Sequence, residues 1–359
     1  MPQKRPDSDQ GSTARQGFDY DLPPELIAQQ PVEMRDGSRM MRMFRGQAKA
    51  PEHTQVRHLT DHLEPGDLLV RNRTRVFPAR LRGQRMPGGG AIEVLLLQAS
   101  GDHGANCWQA LARPLKRLHR DQKLILANPK APGAPVETTV RAVRDGYLWL
   151  DFPPETDVLA CAERLGEIPL PPYIQREEGP TGDDRERYQT IYARENGSVA
   201  APTAGLHLTD AIFTGLADKG IEVAEVVLHV GAATFLAGQP GRGSETVEPE
   251  MYFVPEATRQ KIEDCPGRVV AVGTTTTRAL ESAARQNWPA TPSPTGLVLA
   301  PGDSFQVVQG LLTNFHLPGS SLLSMVGAFA GVEPTLDAYR KAVAEGYRFY
   351  SYGDAMLII

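Results

Sequence analysis

Short apolar or β-branched runs at regular spacing limit the folds available to the middle of this chain. From residue 65 to residue 152, Gly, Pro, Asp and Asn divide the sequence into such runs about every ten residues, which is typical of an all-β barrel or sandwich. The runs lie at residues 68–70, 75–83, 91–98, 107–112, 123–127, 136–143 and 147–152. We therefore predict a β-module over residues 61–152.

Strand and helix signals alternate after this module, which predicts an α/β sheet region. A buried strand at residues 268–272 and a helix at residues 277–286 are examples. The chain has 359 residues, more than a usual single compact domain, so one domain is expected to interrupt another. Residues 17–60 and 153–359 then form the α/β domain, and the polar residues 1–16 are expected to be a disordered lead.

Basic residues are concentrated in the predicted β-module. The chain carries a formal net charge of -5, yet residues 71–120 hold ten Lys or Arg and two acidic residues, a local charge of +8. The rest of the chain has 28 basic and 41 acidic residues, a charge of -13. Such segregation can steer a polyanion to one part of an acidic protein, so the module is a candidate nucleic-acid platform. A solvated, arginine-rich set of strands is the alternative interpretation.

Several classes of protein are disfavoured by the sequence. It has no run of 18 or more apolar residues and no hydrophobic signal core near its N-terminus, so neither membrane spanning nor secretion is expected. The three cysteines are far apart and form no Cys-x-x-Cys pair, which suits a reducing cytoplasm. The histidines do not show the spacing of a metal site, and no metal is predicted.

A strand-to-helix junction is the most readable local site. The apolar strand 268–272 leads to a glycine, four threonines and an arginine, which are Gly273, Thr274, Thr275, Thr276, Thr277 and Arg278. Free backbone N–H groups and hydroxyls at such a junction can bind an anion or the hydroxyls of a sugar. The segment has neither the P-loop pattern nor Gly-x-Gly-x-x-Gly. A capped helix would account for Thr276 or Thr277 alone, so a ligand-binding role and a structural role both remain open.

Three histidines lie in or beside turns rich in Gly, Pro or Thr. His207 ends a run of small residues, His229 follows a predicted strand and precedes a glycine turn, and His316 lies two residues before a proline. A lone histidine is more often structural than catalytic, but three imidazoles in such turns favour a shared cleft with acid–base chemistry. The C-terminal run 350–356, which contains Asp354, is a further candidate segment.

Many motifs in one order resemble a known family. The matching stretches lie at residues 18–31, 35–39, 65–70, 72–76, 78–81, 168–174, 184–190, 198–207, 228–235, 273–278, 312–318 and 347–357. Gly273-Thr-Thr-Thr-Thr-Arg278 and Tyr350-Ser-Tyr-Gly-Asp-Ala-Met356 are two of them. On these stretches the chain resembles the S-adenosylmethionine:tRNA ribosyltransferase-isomerase family of queuosine biosynthesis, and the resemblance covers nearly the whole chain. Such an ordered set is far more specific than any single motif.

The resemblance implies a fold and an activity. The family fold is a mixed-sheet α/β domain interrupted by a small closed β-barrel domain, in agreement with the pattern of elements. The implied reaction transfers and isomerises the ribosyl moiety of S-adenosylmethionine onto 7-aminomethyl-7-deazaguanine in tRNA, giving epoxyqueuosine, adenine and methionine. S-Adenosylmethionine is then a co-substrate, and no cofactor is expected. The implied partner is a tRNA with a queuosine-type anticodon, and we expect a cytoplasmic monomer.

The implied reaction requires acids, bases and groups that hold a ribose. The predicted catalytic residues are His207, His229, His316, Glu250 and Asp354. The residues predicted to hold the ribose or the methionine carboxylate are Gly273, Thr274, Thr275, Thr276 and Arg278. The residues predicted to contact the tRNA backbone are Arg71, Arg73, Arg75 and Arg80.

The chain departs from the family pattern just before Glu250. A His-x-Met-His-x-Glu stretch is expected there, whereas the sequence reads Glu245-Thr-Val-Glu-Pro-Glu250, so both histidines are replaced and Glu250 matches the family glutamate. A carboxylate could replace an imidazole as base, although its ordinary pKa of about 4.3 makes it a poorer acid at neutral pH. A paralogue that uses another nucleoside, or one that binds tRNA without catalysis, is therefore the alternative.

Overall fold

The computed structural model describes residues 18–100, 106–129, 133–177, 179–232, 235 and 249–359. Within these residues the chain forms a nine-stranded mixed sheet packed against helices, a closed six-stranded barrel and a small two-stranded sheet. The predicted fold class, a mixed-sheet α/β domain with a small closed β-barrel, is confirmed. The expected disordered lead at residues 1–16 lies outside the described residues, as do Glu245 and Glu248.

Parallel strands form the centre of the nine-stranded sheet. Numbered along the chain, its strands are β1 (Arg39–Met43), β2 (Glu52–Gln55), β3 (Leu68–Asn72), β12 (Glu222–Leu228), β13 (Glu250–Phe253), β14 (Val269–Val272), β15 (Ser293–Thr295), β16 (Gly310–Asn314) and β17 (Ala355–Ile358). Their order across the sheet is β15-β13-β12-β3-β14-β16-β17-β1-β2. Because β12, β3, β14 and β16 run parallel, their carboxyl ends meet at one edge of the sheet.

The barrel strands follow one another along the chain and pair antiparallel. They are β5 (Arg80–Arg85), β6 (Gly90–Ala99), β7 (Cys107–Arg113), β8 (Lys123–Leu126), β9 (Val136–Arg144) and β10 (Tyr147–Asp151). Pairing of β9 with β10 and of β10 with β7 closes the barrel around its own apolar cluster.

The inserted module begins later than the predicted residue 61. Residues 68–70 belong to the central parallel strand β3, and the predicted run 75–83 divides into β4 (Thr74–Val76) and β5. Strand β4 pairs with β11 (Glu195–Ser198) outside the barrel. Residues 68–70 are buried in succession, as in a strand covered on both faces, and this is why they belong to the mixed sheet and not to the barrel.

Helices pack on both faces of the mixed sheet. The α-helices with described bounds are α1 (Val158–Leu165), α2 (Gly182–Arg187), α3 (Asp210–Asp218), α4 (Glu256–Glu263), α5 (Thr274–Arg285), α6 (Ser321–Ala330) and α7 (Val332–Ala344). The 3-10 helices are Pro24–Leu26, Arg35–Gly37, Val56–His62, Leu115–Arg117 and Thr203–His207. Side chains of Asp157, Thr209 and Ser320 cap α1, α3 and α6 by accepting backbone N–H groups.

Alternate residues of the central strands enter two different apolar clusters. Val269 and Ala271 of β14 pack with residues of α5, α6 and α7, whereas Val270 and Val272 pack with α3 on the opposite face. This alternation follows from the two-residue period of a strand and anchors helices on both faces. In the described part of the chain, no helix has both the length and the apolar character needed to cross a membrane.

A buried carboxylate on α5 holds the chain segment that leads into β16. Glu281 is fully buried, and its oxygens accept hydrogen bonds from the backbone N–H groups of residues 306, 307 and 308 at 2.9, 2.9 and 3.0 Å. Arg285 donates to the same carboxylate. The charge is therefore paired and its lone pairs are used, as a buried carboxylate requires.

Glu281→Ala is expected to lower the free energy of unfolding by about 3–5 kcal/mol, because it leaves three backbone donors without their acceptor and removes the ion pair with Arg285. Urea denaturation followed by circular dichroism measures the loss. Glu263→Ala removes a half-exposed partner of Arg259 on α4 and is the matched control, with an expected change below about 0.5 kcal/mol. A loss in Glu281→Ala no larger than the control's would contradict this role.

Candidate active site

A cavity of about 230 Å³ opens where β14 and β16 end. Gly273 follows β14 and donates its N–H to Leu312 in β16 at 2.7 Å, so the two strand ends lie side by side. The start of α5 and the residues around the end of β16 both line the cavity. Crevices at the carboxyl ends of strands are the usual ligand sites of open α/β sheets.

The start of α5 presents two of the predicted threonines to the cavity. The helix begins at Thr274, three residues earlier than predicted, after Gly273 at φ +88°, a backbone region that favours glycine. Thr274 and Thr275 line the cavity. Thr276 is fully buried, and its hydroxyl donates to the carbonyl of Val272 at 2.7 Å. Thr276 therefore does not line the cavity, and its contact with a ligand stays a prediction.

A buried ion pair forms part of the cavity wall. Glu250, at the start of β13, accepts a hydrogen bond from Arg278 and another from the N–H of Gly231 at 2.8 Å. The exposed fractions of the two charged side chains are 8% for Glu250 and 10% for Arg278. The Nε atom of Arg278 donates to the carbonyl of Leu297 at 3.1 Å, while its buried Nη2 has no partner in the described residues. An unpaired buried donor at a cavity wall is suited to a ligand acceptor.

His316 is the predicted histidine that lines the cavity. Its Nε2 is 2.9 Å from the hydroxyl of Thr313, and its backbone N–H donates to the hydroxyl of Tyr339 at 3.1 Å. Burial lowers the pKa of His316 to about 4, because a charged imidazole would lose its hydration. The ring is therefore neutral near pH 7.

His207, His229 and Asp354 do not line this cavity, so the three histidines do not share it. The Nδ1 of His229 is 2.8 Å from the hydroxyl of Thr74, at the side of the sheet where β4 lies. Burial lowers the pKa of both His207 and His229, and for His207 the nearby Asp354 partly opposes this shift. The carboxylate of Asp354 accepts the backbone N–H groups of Arg39 and Arg348 at 3.0 and 2.9 Å, which is a structural role.

The predicted tRNA-contacting arginines do not form one free surface. Arg71 lies in β3, where Glu225 binds it at 2.9 Å and its guanidinium stacks on Tyr192 and Phe213. Arg73 pairs with Glu195 at 3.1 Å and Glu225 at 3.6 Å. Arg75 pairs through its backbone with β11, and its side chain has neither a hydrogen bond nor an ion pair with any described residue. Arg80, in the first barrel strand, borders a second cleft of about 640 Å³ beside the barrel.

The sequence reasoning missed the aromatic and apolar part of the cavity wall. Tyr173, Tyr188 and Tyr350 line the cavity together with residues 297–299 of an irregular segment. All three tyrosines stand in stretches that carry the family resemblance, at residues 168–174, 184–190 and 347–357, but no pattern in the sequence indicates that Tyr173 and Tyr350 lie against each other. Among the described residues, no group of three or more His, Cys, Asp or Glu side chains is arranged to hold a metal ion.

Comparisons with known proteins agree over nearly the full chain. A family model described as "Queuosine biosynthesis protein" matches residues 15–358. A protein of Thermus thermophilus named S-adenosylmethionine:tRNA ribosyltransferase-isomerase is 46% identical over 354 residues, which cover 96% of this chain and 99% of that protein. A protein of the same name from Citrifermentans bemidjiense is 44% identical, with coverages of 95% and 98%. A crystal structure of S-adenosylmethionine tRNA ribosyltransferase from Thermotoga maritima aligns with a TM-score of 0.55 at 36% identity, covering 96% of this chain and 100% of that one.

The low pKa of His316 predicts a loss of stability in weak acid. The folded chain holds this imidazole neutral down to a pKa of about 4, whereas the unfolded chain takes up the proton near pH 6.5. The stabilisation is therefore complete above pH 6.5 and declines as the pH falls from 6.5 to 4, by up to about 3 kcal/mol. Guanidinium denaturation at several pH values measures the decline.

His316→Gln, which has an amide in place of the imidazole beside Thr313, is expected to show a shallower decline than the wild type over this pH range. His119→Gln, at an exposed position of the barrel, is the matched control and should follow the wild type. If the free energy of unfolding declines equally in His316→Gln and in the wild type, His316 does not contribute to the loss of stability in acid.

Proposed function

The chain belongs to the family of queuosine biosynthesis proteins, and on this basis we propose that it is an S-adenosylmethionine:tRNA ribosyltransferase-isomerase. It transfers and isomerises the ribosyl moiety of S-adenosylmethionine onto 7-aminomethyl-7-deazaguanine in tRNA. The products are epoxyqueuosine in the tRNA, free adenine and methionine. S-Adenosylmethionine is a co-substrate, and the reaction uses no cofactor.

The combination of groups in the cavity is the observation that supports this function. One wall carries the buried pair of Glu250 and Arg278 and the start of α5, and tyrosines provide an aromatic wall. S-Adenosylmethionine has matching parts, because it joins a purine, a ribose, a sulfonium and an amino-acid end. A cavity of this composition suits a nucleoside that carries charges of both signs.

The start of α5 and Arg278 hold the methionine carboxylate and the ribose in this proposal. Arg278 offers its unpartnered Nη2, and the first N–H groups of a helix attract an anion because they have no acceptor within the helix. The hydroxyls of Thr274 and Thr275 are placed to bind ribose hydroxyls. These contacts fix the substrate for the transfer, which is the contribution of positioning to catalysis.

Glu250 is the base that we assign to the first step. The positive sulfonium acidifies the neighbouring ribose methylene, and a base that removes this proton starts the opening of the sugar and the loss of adenine. Adenine leaves with a proton, and the amine nitrogen of the acceptor forms a bond to a carbon of the opened sugar and loses a proton. Closure of the epoxide then breaks the carbon–sulfur bond and releases methionine. Among the described residues that line the cavity, Glu250 provides the carboxylate, and Arg278 and the N–H of Gly231 orient it.

The histidines take other roles in this proposal. His316 is neutral near pH 7, so it serves the substrate as a hydrogen-bonding group and not as a proton donor. His207 borders a separate small pocket and His229 lies beside Thr74, so we assign both as positioning residues for the loops that contain them. Asp354 ties the C-terminal segment to Arg39 and has no contact with the substrate.

Arg75 and Arg80 remain the candidates for contacts with the tRNA backbone. The side chain of Arg75 has no partner in the described residues. Arg80 donates to the carbonyl of Leu170 at 3.1 Å and lies 4.0 Å from Glu93, but it borders the cleft beside the basic barrel. Arg71 and Arg73 are held by acidic side chains, so we assign them to the stability of the sheet. The tRNA has a queuosine-type anticodon, since the acceptor base occupies that position in the proposed reaction.

We also propose that the protein acts as a monomer in the cytoplasm. The large exposed apolar side chains of the described residues, such as Met34, Val143 and Val298, come from distant segments of the chain. The three cysteines are free, as expected in a reducing compartment.

Turnover of the two substrates by the purified protein tests the proposed function. The protein is mixed with S-adenosylmethionine and tRNA carrying 7-aminomethyl-7-deazaguanine, and adenine release and the mass of the modified nucleoside are measured. We expect adenine and epoxyqueuosine in equal amounts, and no adenine when the tRNA lacks the deazaguanine. Neither product, from protein that still binds the tRNA, would overturn the assignment as an enzyme.

Glu250→Gln tests the residue-level assignment in the same assay. The amide keeps the size of the side chain and a hydrogen-bond acceptor but cannot accept the proton, so kcat is expected to fall by about 100-fold or more. Glu225→Gln, in the ion-pair cluster with Arg71 away from the cavity, is the matched control and should keep kcat within about threefold. A kcat for Glu250→Gln equal to that of the control would exclude Glu250 as the base.

A further inference from the structure

Tyr350 has a backbone conformation that is unusual for an aromatic residue. Its φ is +75°, in the left-handed region that disfavours side chains with a Cβ. The same residue is only partly buried and lines the cavity. Strained backbone persists where surrounding contacts impose it, and such residues are concentrated at functional sites.

Contacts from the end of β16 impose this conformation. The side chain of Asn314 donates to the carbonyl of Tyr350 at 2.8 Å, and the N–H of Tyr350 donates to the carbonyl of Phe315 at 3.0 Å. The N–H of Gly353 donates to the same carbonyl of Tyr350 at 3.0 Å. The backbone of Tyr350 is therefore fixed to the strand end that forms one side of the cavity.

A second tyrosine fixes the plane of the Tyr350 ring. The ring of Tyr173 stands at 87° to it, with a distance of 3.9 Å between the ring centroids, and the hydroxyl of Tyr173 is hydrogen-bonded to Ser351. All three residues line the cavity. In the described residues, the hydroxyl of Tyr350 has no hydrogen-bond partner, so the ring itself is the part of the side chain that this arrangement positions.

We propose that Tyr350 is the stacking surface for the adenine ring of S-adenosylmethionine. This inference rests on the proposed function and specifies how the same site selects its substrate. An aromatic ring offers a planar base a stacking partner whose plane is already set. The acceptor base is also planar, but the cavity joins the aromatic wall to the charged wall of Arg278 and Glu250, and S-adenosylmethionine has both an aromatic end and an amino-acid end.

Binding of a neutral adenine nucleoside to two variants tests the proposal without turnover or tRNA. The probe is 5′-methylthioadenosine, measured by isothermal titration calorimetry. Tyr350→Asn removes the ring and introduces a residue that tolerates positive φ, and we expect about 10- to 100-fold weaker binding. Tyr350→Phe keeps the ring and is the matched control, with affinity expected within about threefold of the wild type.

A spectroscopic readout separates stacking from a purely structural effect. The fluorescence of 2-aminopurine riboside is expected to be quenched on binding to the wild type and to Tyr350→Phe, and to remain largely unquenched when saturating ligand is bound to Tyr350→Asn. Thermal unfolding confirms that each variant is folded. Equal affinity and equal quenching in Tyr350→Asn and the wild type would overturn the proposal.

The test also distinguishes failure of the stacking proposal from failure of the proposed function. If the wild type forms epoxyqueuosine while Tyr350→Asn binds the nucleoside like the wild type and instead raises KM for tRNA, the ring serves the acceptor base and the proposal is overturned. If the wild type forms no product but binds the nucleoside, and Tyr350→Asn binds it more weakly, adenine stacking holds and the proposed reaction fails.

Discussion

The carboxylate of Glu281 connects the two elements on which the cavity depends. It lies on α5, whose N-terminal half provides Thr274, Thr275 and Arg278, and it binds the backbone just before β16, whose end leads to His316. One buried, fully hydrogen-bonded charge therefore ties α5 to the segment before β16, in addition to the hydrogen bond between Gly273 and Leu312. A buried carboxylate is tolerated only when all its hydrogen-bond partners are in place. The hydrogen bonds of Glu281 therefore stabilise the fold and also fix the position of α5 relative to β16.

Patterns within short stretches of the sequence predict the two parts of the fold and several residues of the cavity. The regular short runs predicted the barrel, the alternating elements predicted the mixed α/β sheet, and the full-length resemblance to one family predicted the function. Gly273, Thr274, Thr275, Arg278, Glu250 and His316 were named from the sequence, and they line one cavity. Their contacts with substrate remain a prediction, because the structure gives their position and not their partner.

The remaining features depend on contacts between distant segments. Tyr173 and Tyr350 are far apart in the chain, and no local period indicates that their rings meet. Thr276 lies inside α5 because the helix begins three residues earlier than predicted, and its hydroxyl donates to the carbonyl of Val272. The charge of +8 in residues 71–120 overstates the free positive charge, since Glu195 and Glu225, from other segments, bind Arg71 and Arg73.

The location of the bound nucleoside tests the central claim most directly. A crystal structure of the protein with S-adenosylhomocysteine, which keeps the adenine, ribose and amino-acid end, would show where the co-substrate binds. The account predicts electron density in the cavity at the ends of β14 and β16, with adenine on Tyr350 and the carboxylate at Arg278. Density in the cleft beside the barrel near Arg80, with the cavity unoccupied, would contradict it.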